Sequence, residues 1–380
     1  MIELARRHAR LPASAALLFG IAALALWLAA FWTTAHAQAW KAEWEKTVEA
    51  AKKEGNLVLN LLPNTTFRNV FLSEWGKEFP EIKVSVTSIY PAQFVVRVKT
   101  EAQAGKHLWD AVHTGPLGGF QLAKAGLMAP VRDEFIFPDL KDPKTWGGWD
   151  NAFLDEEAKY VLRTQWFVKM PFYNAKVLSP EKVERLGAKV MFEPEMKGKI
   201  VWQDPNAGGA GGSFGYALKQ LVGMDGIKRL INDQEVVFVE SAAQLVEKLV
   251  RGQAMVVMGP TVNSRLPKYE KAGLEFDIRG FGADPRMLAF ESTGGFALYT
   301  FKQRPNPNAA KVFINWVLSK PIQEKLARAL EQISNRTDVA ATVPSYLQPK
   351  RGVTYLDTSS EPAQAKIAEV QKEIGKIRGM

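Results

Sequence analysis

The stretch WKAEWEKTVEAAKKEGNLVLNLLPNTT, residues 40–66, decides the fold class. Its first half, Trp40 to Lys53, has the amphipathic pattern of a helix lying on a core. Gly55 stops that helix, because a residue without a Cβ enters the left-handed conformation at little cost. Leu57 to Leu62 is too short and too apolar for a surface helix and predicts a buried strand. Pro63-Asn64-Thr65-Thr66 is the loop that turns the chain into a second helix, Phe67 to Phe79. Helix, buried strand, loop and helix in succession are the repeating unit of α/β layers.

The unit recurs downstream. Ile82 to Ser88 predicts a strand, Phe94 to Ala104 a helix, and Asp110 to Thr114 a third strand closed by Gly115-Pro116. Residues 130–160, rich in Pro, Trp and Asp, break the alternation and predict the passage toward a second lobe. Tyr160 to Met170 is β-like and leads into Phe172-Tyr173-Asn174. Further strands are expected at Lys199 to Gln203, Val236 to Val239, Ala254 to Met258, Phe276 to Gly280 and Gly295 to Tyr299, the last crossing back to the first lobe. Helices are expected from the glycine loop to Val222, at Ala242 to Val250, Asn308 to Leu318, Ile322 to Leu330 and Ala363 to Lys376, with a fraying tail. The expected division is 1–37 as an export signal, 38–140 with 285–333 as lobe one, and 141–284 with 334–380 as lobe two.

The first 37 residues have the order of a secretory signal. Arg6, Arg7 and Arg10 precede an apolar run from Ala15 to Trp32, and Ala35-His36-Ala37 gives small residues where a signal peptidase cuts. Cleavage after Ala37 is expected, which places the protein in the periplasm; an uncleaved membrane anchor is the alternative. The chain holds 49 Lys and Arg against 40 Asp and Glu, and removing the signal leaves 46 against 39, a net of +7. That excess is spread out, without the clustered basic stripe of a nucleic-acid binder; attracting an acidic ligand suits it better. Roughly 340 mature residues exceed what one core usually serves, which argues for two domains. Cysteine is absent, so thiolate chemistry and Cys-based metal sites are excluded.

Gly208-Gly209-Ala210-Gly211-Gly212-Ser213, between a predicted strand and a predicted helix, offers backbone N–H groups to a carboxylate or phosphate. A flexible turn is the other reading. The spacing fails the dinucleotide fingerprint, and no Lys follows in Walker fashion. Gly211-Gly212-Ser213-Phe214-Gly215 also fits a nucleophile elbow, but no histidine follows His113, so a Ser-His hydrolase lacks its base. His107 and His113 alone make no zinc site. His113, at a predicted strand end, is placed either to donate to a ligand or to serve the core. Asn64-Thr65-Thr66, Tyr90, Thr261 with Asn263, and Glu291-Ser292-Thr293 put hydroxyls and amides on several strand ends, as a cleft binder requires.

Trp44 through Ala50-Ala51-Lys52-Lys53-Glu54-Gly55 into Leu57-Val58-Leu59 resembles the opening of periplasmic solute-binding proteins of ABC importers. The nearest branch is family 1, with its ferric-iron, thiamine, polyamine and organophosphate binders. Phe172-Tyr173-Asn174, Met196-Lys197-Gly198-Lys199-Ile200 with Asp204-Pro205, and Ser334-Asn335-Arg336-Thr337-Asp338-Val339 are similar to its later signatures, and the match covers nearly all of 40–345. The resemblance implies an α/β, two-lobed class II periplasmic binding protein fold with the ligand cleft between the lobes. It also implies a monomer that is no enzyme, needs no cofactor, and meets an inner-membrane ABC permease transiently. Its ligand-binding candidates here are Asn64, Thr65, Thr66, His113, Thr114, Tyr173, Gly211, Gly212, Ser213, Thr261, Asn263, Glu291, Ser292 and Arg336. Ferric-binding members carry a Tyr-Tyr pair where this chain has Gly259-Pro260-Thr261-Val262-Asn263, so a small anionic organic solute is expected rather than iron held by phenolates. A ferric complex completed by an external anion, a serine hydrolase at Ser213 and a receptor-linked sensor are the alternatives.

Overall fold

The computed structural model describes residues 39–61, 63–207, 210–259, 262, 265–281, 292–343, 347–348 and 355–380. The expected export signal therefore lies outside the described residues. Among the described residues, no helix is long and apolar enough to cross a membrane.

Two sheets organise the chain. The first runs in the order Ile333–Ser334, Leu162–Lys169, Ser292–Phe301, Ala111–Thr114, Asn56–Leu61 and Lys83–Thr87. Asn56–Leu61 is parallel to both its neighbours, whereas Ser292–Phe301 is antiparallel to Ala111–Thr114 and to Leu162–Lys169. Short strands Leu356–Asp357 and Met128–Ala129 pair with the two ends of Ser292–Phe301. The second sheet runs Ile278–Gly280, Phe172–Asn174, Val256–Met258, Ile200–Gln203 and Val237–Val239. The α/β class and the return of the 292–301 strand to the first sheet agree with the sequence.

Local chemistry starts the elements where the sequence places them. After the opening helix over residues 39–54, Asn64 caps the helix Thr65–Glu78, its Oδ1 accepting from the Phe67 N–H at 3.0 Å. That phase buries Phe67, Phe71 and Trp75 along one stripe, four residues apart. Phe71 and Trp75 pack edge to face on Phe313 and Trp316 of the helix Pro307–Leu318, with ring centroids 5.2–6.2 Å apart. Each buried ring contributes about 2–3 kcal/mol, which is why this stripe, not helix propensity, fixes the element.

The lobe boundaries differ from the expected ones. The segment 131–153 feeds Val131, Phe135, Leu140, Trp146 and Phe153 into the core of the first sheet, so its Pro and Gly residues mark tight wrapping turns. Leu162–Lys169, expected in lobe two, lies in the first sheet, because the return strand needs a partner on its open side. Ile333–Ser334 extends that sheet by pairing with Trp166 and Gln165. The chain passes to the second sheet only at Met170-Pro171. The C-terminal helix Glu361–Ile377 does serve the second lobe, burying Ile367, Val370 and Ile374 with Phe214 and Leu218 of the helix Gly211–Asn232 in one core. Its end is pinned, not frayed. Arg378 forks onto Asp204 at 2.7 and 2.9 Å and lies 4.0 Å over the Phe238 ring.

Candidate functional site

The parallel strands of the first sheet end at Leu61, Thr87 and Thr114 along one edge; the register sets Arg163 level with Thr114 and carries Lys169, the partner of Ser292, beyond that edge at the same end of the sheet. Four strand spacings separate the strand of Lys169 from the Lys83–Thr87 strand, so this end of the sheet is about 19 Å across. The second lobe meets it at both sides. At one, the first turn of the helix Gly211–Asn232 reaches Lys169; at the other, Arg265 comes within electrostatic reach of Tyr90.

Lys169 is the most unusual group at that end of the sheet. It is 8 % exposed, and its Nζ donates to Ser213 Oγ at 2.7 Å and to Thr358 Oγ1 at 3.2 Å. Both partners are neutral. Burial pushes its ammonium down to about 8, against the pull of the Asp357 charge. Burial likewise lowers Arg163, again opposed by Asp357, and Arg163 Nε has no hydrogen-bond partner. One Asp357 oxygen already accepts from the backbone N–H groups of Ser359 (2.9 Å) and Ser360 (3.2 Å). Among the described residues, two cations thus share one carboxylate.

A row of rings leads inward from Lys169. Its Nζ lies 5.7 Å from the Phe167 ring, Phe167 lies 5.9 Å from Phe296, and Phe296 lies 6.5 Å from His113, which stacks on Phe67 at 4.9 Å. His113 is fully buried, and burial pushes it down to about 4, against the side chain of Gln165, so the ring is neutral. The Thr164 hydroxyl donates to Gln165 Oε1 (2.8 Å), so His113 Nε2–H donates to Thr164 Oγ1 (2.7 Å). His113 Nδ1 is left a buried acceptor without a partner.

The sequence candidates separate on inspection. Asn64 spends its side-chain oxygen on the helix cap, while Thr65 and Thr66 stand exposed in the first turn at the edge. Thr114 is buried and paired through its backbone to Ala297. Tyr173 lies in the core of the second lobe, against Phe281 and Arg279. Gly211 and Gly212 are the first helical residues, not a loop, and both are packed. A Cβ on Gly211 would collide with the Gln203 carbonyl oxygen, and one on Gly212 with the Gln371 side chain. Arg336 is no counter-ion: Nε and Nη2 serve Asp338 (2.9 and 3.0 Å), Nη2 also Asp139 (2.7 Å), and Nη1 the Leu318 carbonyl (3.0 Å). Thr261, Asn263, Glu291 and the side chain of Ser292 lie outside the described residues, as do Gly208 and Gly209.

Sequence reasoning missed Lys169. The available signal was a single cation closing the apolar run Trp166-Phe167-Val168 before Met170-Pro171-Phe172. A lysine held in such company requires a reason.

Residues 72–350 match the sequence profile described as bacterial extracellular solute-binding protein. No curated protein matches the sequence. Among solved structures, the chain is similar to a substrate-binding protein of an ABC transporter from Agrobacterium tumefaciens (TM-score 0.66, 14 % identity, covering 85 % of this chain and 94 % of that one). It is similar also to iron-bound HitA from Pseudomonas aeruginosa (TM-score 0.63, 14 % identity, 85 % and 99 %). A third is the periplasmic binding protein AfuA from Actinobacillus pleuropneumoniae with fructose-6-phosphate bound (TM-score 0.59, 17 % identity, 85 % and 99 %). At these identities the likeness is one of fold.

Proposed function

The chain belongs to the bacterial extracellular solute-binding proteins, and we propose that it captures a small anionic organic solute between its lobes and delivers it to an ABC permease. The observation that carries the anionic reading is Lys169, a buried ammonium whose hydrogen-bond partners, Ser213 and Thr358, bear no charge. An unpaired buried cation is costly, and an anion arriving at the cleft relieves that cost. The same anion joins groups from both lobes, so its contacts exist only in the closed form and shift the population toward it. The permease then selects the closed monomer, with no cofactor and no nucleic acid involved. Export by residues 1–37 with cleavage after Ala37 completes the reading, and N-terminal sequencing of the exported form tests it.

Ser213 acts as a ligand-lobe hydroxyl, not a nucleophile. Its Oγ donates to the Ala210 carbonyl at 2.8 Å and accepts from Lys169, the reverse of a serine giving its proton to a base. The test is a thermal-shift screen of the exported protein against organic acids, sugar phosphates, phosphonates, polyamines and ferric salts. Stabilisation by anions, lost in Lys169→Gln, supports the reading. Stabilisation by ferric ion alone, with a charge-transfer band, overturns it in favour of a ferric binder. Ester hydrolysis abolished by Ser213→Ala overturns the assignment as a non-enzyme.

A further inference from the structure

We infer that the solute is a monocarboxylate carried on a planar aromatic body, its acid group met by Lys169 and its ring laid against Phe296 and Phe167. This rests on the anionic reading above and narrows it. Three observations combine.

The first is charge number. Among the described residues, Arg163 and Lys169 both feel one carboxylate, Asp357, an excess of one positive charge. Among the described residues, neither cation makes an ion pair. One carboxylate neutralises that excess; a phosphate dianion overshoots it and demands several donors, while the Ser213 hydroxyl beside Lys169 already donates to the Ala210 carbonyl.

The second is the character of the floor beside the cation. Phe167, Phe296, neutral His113 and Phe67 follow one another at ring-to-ring distances of 4.9–6.5 Å. Phe67 and His113 are fully buried, whereas Phe296, in the middle of the row, keeps a partly exposed surface. A flat ring set there extends an existing stack by offset or edge contact.

The third is what the polar groups near the row already do. His113 Nε2 serves Thr164, Thr164 serves Gln165, Gln165 donates to Gln323 Oε1 at 3.2 Å, and Ser334 donates to the same oxygen at 2.8 Å. Apart from His113 Nδ1, a fully buried acceptor, this chain is closed on itself. A sugar's several hydroxyls laid over the row would lose water and find too few partners, since polar ligands need convergent unpaired groups. An apolar ring loses little by the same move.

The experiment is calorimetric titration of the exported protein with benzoate, acetate and glucose 6-phosphate at pH 7. Benzoate should bind at least about tenfold tighter than acetate or glucose 6-phosphate, the scale of one well-placed ring contact. Phe296→Ala should cut the benzoate-to-acetate affinity ratio about fivefold or more, and Phe296→Tyr should largely restore it. Lys169→Gln should weaken both acids and Lys169→Arg should retain part of the affinity, with circular dichroism and melting curves verifying that each variant is folded. Benzoate binding no tighter than acetate, or a ratio unmoved by Phe296→Ala, overturns the aromatic inference while leaving the anionic reading intact. Tighter binding of glucose 6-phosphate has the same meaning. If none of the three anions binds, both readings fall.

Discussion

Lys169 donates to Ser213 Oγ at 2.7 Å, and this bond ties the last residue of a first-sheet strand to the first turn of a second-lobe helix. Thr358, on the segment leading into the C-terminal helix, accepts from the same amine, so three chain segments converge on one charge. Its protonation state is therefore coupled both to stability and to any anion that enters.

Lys169 sits at about 8 when folded, against 10.5 unperturbed. Below about pH 8 both states are charged and the buried ammonium is at its most costly; as pH rises from 8 to 10.5 the folded form sheds its proton first and the cost declines. An anion raises the folded value, so binding takes up a proton above pH 8. Affinity for an organic acid should be level between pH 6 and 7.5 and fall toward tenfold per unit above 8. Titrations in buffers of different ionisation enthalpy measure the proton uptake; an affinity indifferent to pH between 7 and 9.5 would remove Lys169 from the site.

His113 gives the opposite limb. Its folded value of about 4 lies below the unperturbed 6.5, so the neutral ring is the native one. Its stabilising contribution is complete above pH 6.5 and is lost as pH falls toward 4, a change of roughly 3 kcal/mol. Denaturant titrations at pH 7.5, 6, 5 and 4 should show that decline, and His113→Gln should flatten its pH dependence relative to the parent.

The two helical glycines should respond differently to a methyl group. Gly211→Ala drives a Cβ into the Gln203 backbone, which cannot yield without parting strand from helix, and should cost about 2–3 kcal/mol. Gly212→Ala meets only the Gln371 side chain, which can yield by releasing its bond to the Pro205 carbonyl, and should cost less. Urea unfolding midpoints decide; equal losses would mean that the helix start adjusts as a whole.

Arg336 is a strut. Replacing it with Lys keeps a charge but loses the fork onto Asp338 and the bond to the Leu318 carbonyl, and should cost about 2 kcal/mol, since both carboxylates remain about half-exposed. The melting temperature should fall, while ligand affinity at 25 °C should hold. A loss of affinity without a loss of stability would return Arg336 to the binding site.

The helices, the strands and most of their limits were legible in the sequence because periodicity and caps are local. Trp40 to Lys53, the strand after Gly55 and the Asn64 cap all follow from residues within one turn of each other. The two-lobed class was legible too, from the order of weak signatures along 40–345. Membership of Leu162–Lys169 was not, since an apolar strand carries no mark of which sheet it will join; the open side of the 292–301 strand decided that. Nor was the site. Gly211, Gly212 and Arg336 have the residue types of anion binders, yet close packing against Gln203 and Gln371, and two nearby carboxylates, absorb them. Lys169 became a candidate only when folding removed its water and set Ser213, from 44 positions later, against its amine. Sequence by itself determined the layers and the family, because hydrophobic periodicity is written residue by residue; tertiary structure alone decided which charges stay unpaired, because pairing depends on groups that meet only in space.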